Sequence, residues 1–191
     1  IEIDFITGIP STNAKKRPEN ISPPLTWGEL PAGTVTVALV VDSDQGTTIG
    51  VKKPAFLDSE NYFEKFKQGA KWVHWVVWNI PAEVNGLSLN VPTSTAALPD
   101  IGPNTMQGTN SELEVGWYGP CPPPVTVYHG RSAVDQVTFN YTFMLYAVDK
   151  LLEGLSSETT KDQLLMEIDG HILGAGEAAG EHTARIIKKA N

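Results

Sequence analysis

The hydrophobic pattern divides the chain into a few strong strands separated by polar, proline-rich connections. The strongest run is Lys71-Trp72-Val73-His74-Trp75-Val76-Val77-Trp78-Asn79-Ile80-Pro81. With a period of two, Trp72, His74, Val76, Trp78 and Ile80 share one face, and Val73, Trp75, Val77 and Asn79 share the other. Both faces are apolar, which predicts a strand covered on both sides. His74 lies among the rings, either as a core histidine with one satisfied nitrogen or as the floor of a pocket.

Two more segments read as central strands. Thr34-Val35-Thr36-Val37-Ala38-Leu39-Val40-Val41 is nearly continuous in hydrophobicity and ends in Asp42-Ser43-Asp44. Strand parity sends Asp42 and Asp44 to one side and Ser43 to the other. The two carboxylates are either turn formers or part of a site at a strand exit. In Val137–Val148, Phe139, Tyr141, Phe143 and Leu145 alternate with Asn140, Thr142, Met144 and Tyr146, as expected of packing against a second sheet. Ile1–Phe5 reads as an edge strand, Leu25-Thr26-Trp27 opens a unit closed by the turn Leu30-Pro31-Ala32-Gly33, and a short strand falls near Leu87–Val91.

Helical spacing is convincing only near the end of the chain. Thr159 with Asp162 resembles a capping box, Leu164, Leu165, Ile168 and Ile172 follow at helical intervals, and Gly170 supplies a stop. A second, short helix over 59–67 belongs to an excursion spanning 45–70, with Phe63 and Phe66 on one face. Four prolines within residues 120–124 make a stiff loop that can present backbone amides without an ordering cost. Residues 171–182 are rich in small side chains and show no decisive period.

Composition narrows the function. The chain has 191 residues, enough for one all-β domain over 1–191 with a sizeable core. Its formal net charge of −8 repels phosphate backbones and anionic lipid surfaces, so nucleic acid is not an expected partner. Cys121 is the single cysteine, which excludes an intramolecular disulfide and an all-cysteine zinc site and favours the cytoplasm. Because the chain starts at Ile1, secretion or a periplasmic location after removal of a leader is the alternative. No apolar run reaches the length of a membrane span, so no integral membrane contact is expected. No Gly-x-Ser-x-Gly, His-Glu-x-x-His or phosphate-loop motif occurs; the expectation is a protein that is not an enzyme and carries no cofactor or metal. Oligomeric state is left open.

Several segments occurring in order resemble the phosphatidylethanolamine-binding protein family, in particular its bacterial-type, Raf kinase inhibitor-like branch. They are Ser22-Pro23-Pro24-Leu25-Thr26-Trp27, Leu30-Pro31-Ala32-Gly33-Thr34, Asp42-Ser43-Asp44, His74-Trp75-Val76-Val77-Trp78-Asn79-Ile80-Pro81, Gly119-Pro120-Cys121-Pro122-Pro123, Leu145-Tyr146-Ala147-Val148-Asp149 and Gly170-His171-Ile172-Leu173. The resemblance implies a mostly β fold, an antiparallel β-sandwich with peripheral helices, one of them near the C-terminus. It also implies a small anion pocket for phosphate or phosphorylated headgroups such as phosphoethanolamine. By carry-over Asp42, Asp44, His74, Gly119 and Pro120 line that pocket.

Two departures stand out. The family's Asp-Pro-Asp-Ala-Pro loop is here Asp42-Ser43-Asp44-Gln45-Gly46, without either proline, and its His-Arg-Tyr segment is Phe139-Asn140-Tyr141, without the histidine. His129 is either a substitute for that second pocket histidine or an exposed loop residue. The leading expectation is a regulatory module that binds a small anion, with His74 and amides near Gly119 as donors and one of the two aspartates orienting the imidazole. An alternative is a protein-interaction regulator, similar to kinase or protease inhibitors, acting through Phe56, Tyr62, Phe63 and Phe66 of the 45–70 segment. A third is a metal-assisted hydrolase using Asp42, Asp44, His74 and His129.

Overall fold

The computed structural model describes residues 1–5, 20–44, 47–48, 71–119 and 134–187. Among these are strands β1 (Ile3–Phe5), β2 (Leu25–Trp27), β3 (Thr36–Ser43), β4 (Thr47–Thr48), β5 (Trp72–Pro81), β6 (Gly86–Leu87), β7 (Met106–Gln107), β8 (Val134–Val148) and β9 (Ile172–Ile187), with one α-helix, α1 (Lys161–Ile168). All the strand pairings are antiparallel. A small sheet has the order β1-β2-β6; in the larger one β3 lies between β5 and β8, β7 extends beyond β5, and β9 runs along β8.

The two apolar faces of β3 and β5 cover two layers. Leu25, Trp27 and Leu87 of the small sheet pack with Val37, Leu39, Val41, Trp75, Val77, Ile80, Phe143 and Leu145 of the large one. On the opposite face Ala38, Val40, Val76, Trp78 and Val148 are covered by Leu164 and Ile168 of α1 and by Leu152. Each fully buried aliphatic side chain here contributes about 1.5–3 kcal/mol relative to exposure. Burial on both sides explains why β3 reads as a continuous hydrophobic run.

The expected alternation along β5 fails twice. The register passes from Val41↔Trp75 to Asp42↔Val73, leaving His74 as an extra residue, and from Val37↔Ile80 to Leu39↔Val77, placing Trp78 and Asn79 opposite Ala38 alone. Each is a β-bulge, and each reverses the parity of the residues beyond it. Trp75, Val77 and Ile80 therefore face the inter-sheet core, while Val76 and Trp78 face α1. The second bulge has Asn79 at φ 56, with its side chain bonded to both backbone groups of Leu152 at 2.9 Å.

The helix starts one residue later than its capping pattern suggests. Thr160 is the N-cap, and its partner at the third helical position is Gln163, not Asp162. Gln has the reach to return to the cap's amide, which the shorter Asp lacks. Asp169 closes the helix and Gly170 follows at φ 78. Ile172 is consequently the first residue of β9, the long strand that the unpatterned small residues did not signal. The helix expected over 59–67 lies outside the described residues.

Candidate functional site

The β5 bulge turns His74 toward the inter-sheet face, where it is 4% exposed. Its Nδ1 lies 2.6 Å from the Tyr118 carbonyl oxygen and its Nε2 lies 2.9 Å from Ser43 Oγ. A carbonyl only accepts, so Nδ1 carries the proton, and the neutral ring's Nε2 accepts from the serine hydroxyl. Burial is the largest influence on its basicity and lowers the pKa to about 4; the Tyr118 bond and then the charge of Asp42 act the other way. His74 is thus neutral at physiological pH. Tyr141 packs on the ring with centroids 4.7 Å apart, and Trp117 lies at 6.0 Å.

The loop facing His74 is held at three points. The Tyr118 amide donates to the His74 carbonyl at 2.9 Å, the Gly119 amide donates to Asn20 Oδ1 at 2.6 Å, and Asn20 Nδ2 donates to the Trp117 carbonyl at 2.8 Å. Trp117 itself is wedged edge-on to Trp75 and stacked with Phe143. Its Nε1 is buried without a hydrogen-bond acceptor among the described residues.

Neither aspartate holds the imidazole, which corrects the sequence expectation. Alternation in β3 is unbroken, so Ser43 joins Val41 on the His74 face while Asp42 joins Val40 on the helix face. There Asp42, 2% exposed, pairs with two lysines. Lys161, the first residue of α1, donates to Oδ2, and Lys71 Nζ lies 3.1 Å from Oδ1 without the geometry of a hydrogen bond. On the same face Tyr146 has its pKa raised, first by burial and then by Asp42. Asp44 is exposed and accepts from the Asn140 amide and side chain, both at 2.9 Å. Asn140 and Tyr141, which stand where the resemblance places Arg and Tyr, thus contact Asp44 and His74 respectively.

Of the residues expected to form a pocket, His74 and Gly119 come together, Asp42 is separated from them by the sheet, and Asp44 lies at its edge. Pro120 and His129 lie outside the described residues, as do Phe56, Tyr62, Phe63 and Phe66. Ser43, Trp117 and the Tyr118 carbonyl join the site without having been singled out. The sequence signals were Ser43 standing where the family has proline and Trp117 standing two positions before Gly119. Among the described residues, no cluster of His, Cys, Asp and Glu is arranged to hold a metal, and no helix is long and apolar enough to cross a membrane. A cleft of about 530 Å³ opens among residues such as Leu87, Leu89, Val91, Leu98 and Asp100 and shares no residue with the His74 cluster.

Residues 7–183 match the family model described as phosphatidylethanolamine-binding protein. The chain belongs to this family. It is 33% identical to a UPF0098 protein of Methanothermobacter thermautotrophicus over 85% of this chain and 82% of that one. A crystal structure described as a phosphatidylethanolamine-binding protein homologue from Chlamydia trachomatis superposes with a TM-score of 0.56 at 26% identity, covering 85% of this chain and 80% of the other. YbcL of Escherichia coli shares the fold with a TM-score of 0.65 at 19% identity, over 95% and 96% of the two chains. The mostly antiparallel β fold of the present chain is shared with these two solved structures.

Proposed function

We propose that this family member is a regulatory binding module for small phosphorylated anions, phosphate or a phosphoethanolamine-like headgroup, held on the inter-sheet face beside His74, Trp117 and Gly119. The observation that carries the reading is a buried polar group built into an otherwise aromatic corner: His74, with both ring nitrogens engaged, fixes the Trp117–Gly119 loop. A loop held in this way loses little freedom when a ligand binds. Binding without catalysis is the preferred role. Ser43 and His74 have the spacing of a nucleophile and base, but an imidazole whose pKa is lowered to about 4 is a weak general base at neutral pH.

Titration of the isotopically labelled protein followed by amide NMR tests this, with inorganic phosphate in one arm and phosphoethanolamine in the other. Saturable shifts at the amides of His74, Tyr118 and Gly119 are expected at millimolar ligand. A larger response to phosphoethanolamine assigns a headgroup, and an equal response assigns the phosphate alone. If neither compound moves these amides, the reading fails.

A further inference from the structure

We infer that the cleft beside β6 is a strand-docking site: an extended segment of a partner protein, apolar at alternate positions and carrying a lysine or arginine, pairs there with the free edge of β6. At about 530 Å³ the cleft has the size of a ligand site, roughly 300–1,000 Å³. Two sheet edges meet in it. In the small sheet the Trp27 amide donates to the Asn85 carbonyl, and Leu25 stands opposite Leu87. Antiparallel partners alternate between bonded and non-bonded pairs, so Gly86, opposite Thr26, turns its N–H and C=O away from β2. In the large sheet the Gln107 amide donates to the Ala96 carbonyl and the Leu98 amide to the Thr105 carbonyl, flanking the Ala97↔Met106 bridge. By the same alternation Ala97 turns its backbone groups away from β7. Gly86 and Ala97 both line the cleft. Neither N–H has an acceptor among the described residues, and the Ala97 carbonyl has only the Thr95 hydroxyl at 3.4 Å.

Free edge groups alone would simply be hydrated; the rest of the lining selects a strand. Leu87 and Leu98 are buried in the lining, while Leu89 is 56% exposed. A fitting occupant covers apolar side chains and also offers donors and acceptors along its length. An extended polypeptide does both, sending alternate side chains into the cleft and its backbone groups toward the sheet edge. Charge decides which polypeptide. Asp100 is the one charged residue of the lining and has no ion-pair or hydrogen-bond partner. The stretch 72–119, which supplies the whole lining, contains Glu83, Asp100, Glu112 and Glu114 and neither lysine nor arginine. A second copy of this chain, with its net charge of −8, would bring like charge to the cleft, whereas a basic strand is complementary. Because the cleft shares no residue with the His74 cluster, docking here is independent of anion binding.

A blocked synthetic peptide of alternating valine and threonine with a lysine at each end tests this on the intact, isotopically labelled protein. At millimolar concentration it should move the Gly86 and Ala97 amide signals and, near nine-tenths saturation, slow hydrogen exchange at Gly86 about tenfold. The same peptide N-methylated at alternate amides, on the edge that pairs, keeps every side chain and should bind roughly tenfold more weakly or worse. Glutamate in place of the lysines should weaken binding roughly fivefold, and Asp100→Lys, a substitution at an exposed position, should reverse that order. Silence at Gly86 and Ala97 would overturn the assignment. So would equal binding of the methylated peptide, which would make the cleft a site for apolar ligands without strand pairing. Protection of the Gly86 amide that rises with protein concentration alone would overturn it in favour of a second copy, and a charge preference unchanged by Asp100→Lys would overturn the basic partner.

Discussion

Tyr118 closes on both sides of His74: its carbonyl accepts from the ring at 2.6 Å, and its amide donates to the histidine's own carbonyl at 2.9 Å. The loop and the neutral imidazole are therefore one unit, and protonation works against it. Burial lowers the folded-state pKa to about 4 from 6.5. Between those values the unfolded chain binds the additional proton, so stability falls as pH drops from about 6.5 and stops falling below about 4. The full span is on the order of 3 kcal/mol. Urea midpoints at pH 7 and pH 4.5 for the wild type and His74→Gln should show the wild type losing more of its stability. Equal losses would mean that the buried imidazole does not set this dependence.

Asp42 gives a second, independent prediction on the opposite face. Lys161 is 23% exposed and hydrogen-bonds the carboxylate, whereas Lys71 is 48% exposed and sits off the hydrogen-bonding direction. Lys161→Ala should cost about 1–3 kcal/mol, because it strips a buried charge of its bonded partner. Lys71→Ala should cost less than about 1 kcal/mol, as for other well-hydrated pairs. Denaturant unfolding of the two variants provides the comparison; equal costs would contradict the assigned geometry.

The strands were legible where burial is two-sided or strictly alternating, as in β3 and β8. Within β5 its existence was clear but its facing was not, because a single inserted residue such as His74 or Asn79 exchanges the faces without altering composition. That slip also hid the division of labour between Asp42 and Ser43, which depends on which side of the sheet the histidine reaches. The helix was found through Leu164 and Ile168, its cap displaced by one residue because Thr159 and Thr160 are adjacent and both are followed by a capping-type side chain. β9 is silent in the sequence because its small residues carry little alternation of apolar and polar side chains, and at Gly176 the backbone itself packs so closely that a Cβ would overlap the Ile1 carbonyl oxygen.

Gln107 is fully buried and joins three segments. Its Oε1 accepts from Trp75 Nε1 at 2.8 Å, and its Nε2 donates to the Pro92 and Thr95 carbonyls at 2.7 and 2.6 Å. Gln107→Glu preserves shape and the tryptophan bond but turns two donors into an oxygen facing two carbonyls. The expected loss is about 3 kcal/mol or more, from a buried charge and two unmade bonds. Gln107→Leu should be milder, since it leaves unpaired groups without adding a charge. Thermal or urea unfolding that ranks Leu below Glu would refute the role given to the amide nitrogen.

Asn79 sets intrinsic strand propensity against local geometry. By sequence alone valine is the better strand residue, and neighbours Val76 and Val77 suggest it would fit. The bulge instead holds position 79 at φ 56, where a β-branched side chain clashes with its own backbone. Asparagine tolerates that region and also bonds the Leu152 amide and carbonyl. Asn79→Gly should therefore lose about 1–3 kcal/mol from the unpaired Leu152 groups while keeping the backbone relaxed. Asn79→Val should lose those bonds and a further 1–2 kcal/mol, approximately, from left-handed strain. Denaturation midpoints should place Val below Gly; the reverse order would mean that β5 runs through position 79 without the bulge, and the assignment of Trp78 to the helix face would fall with it.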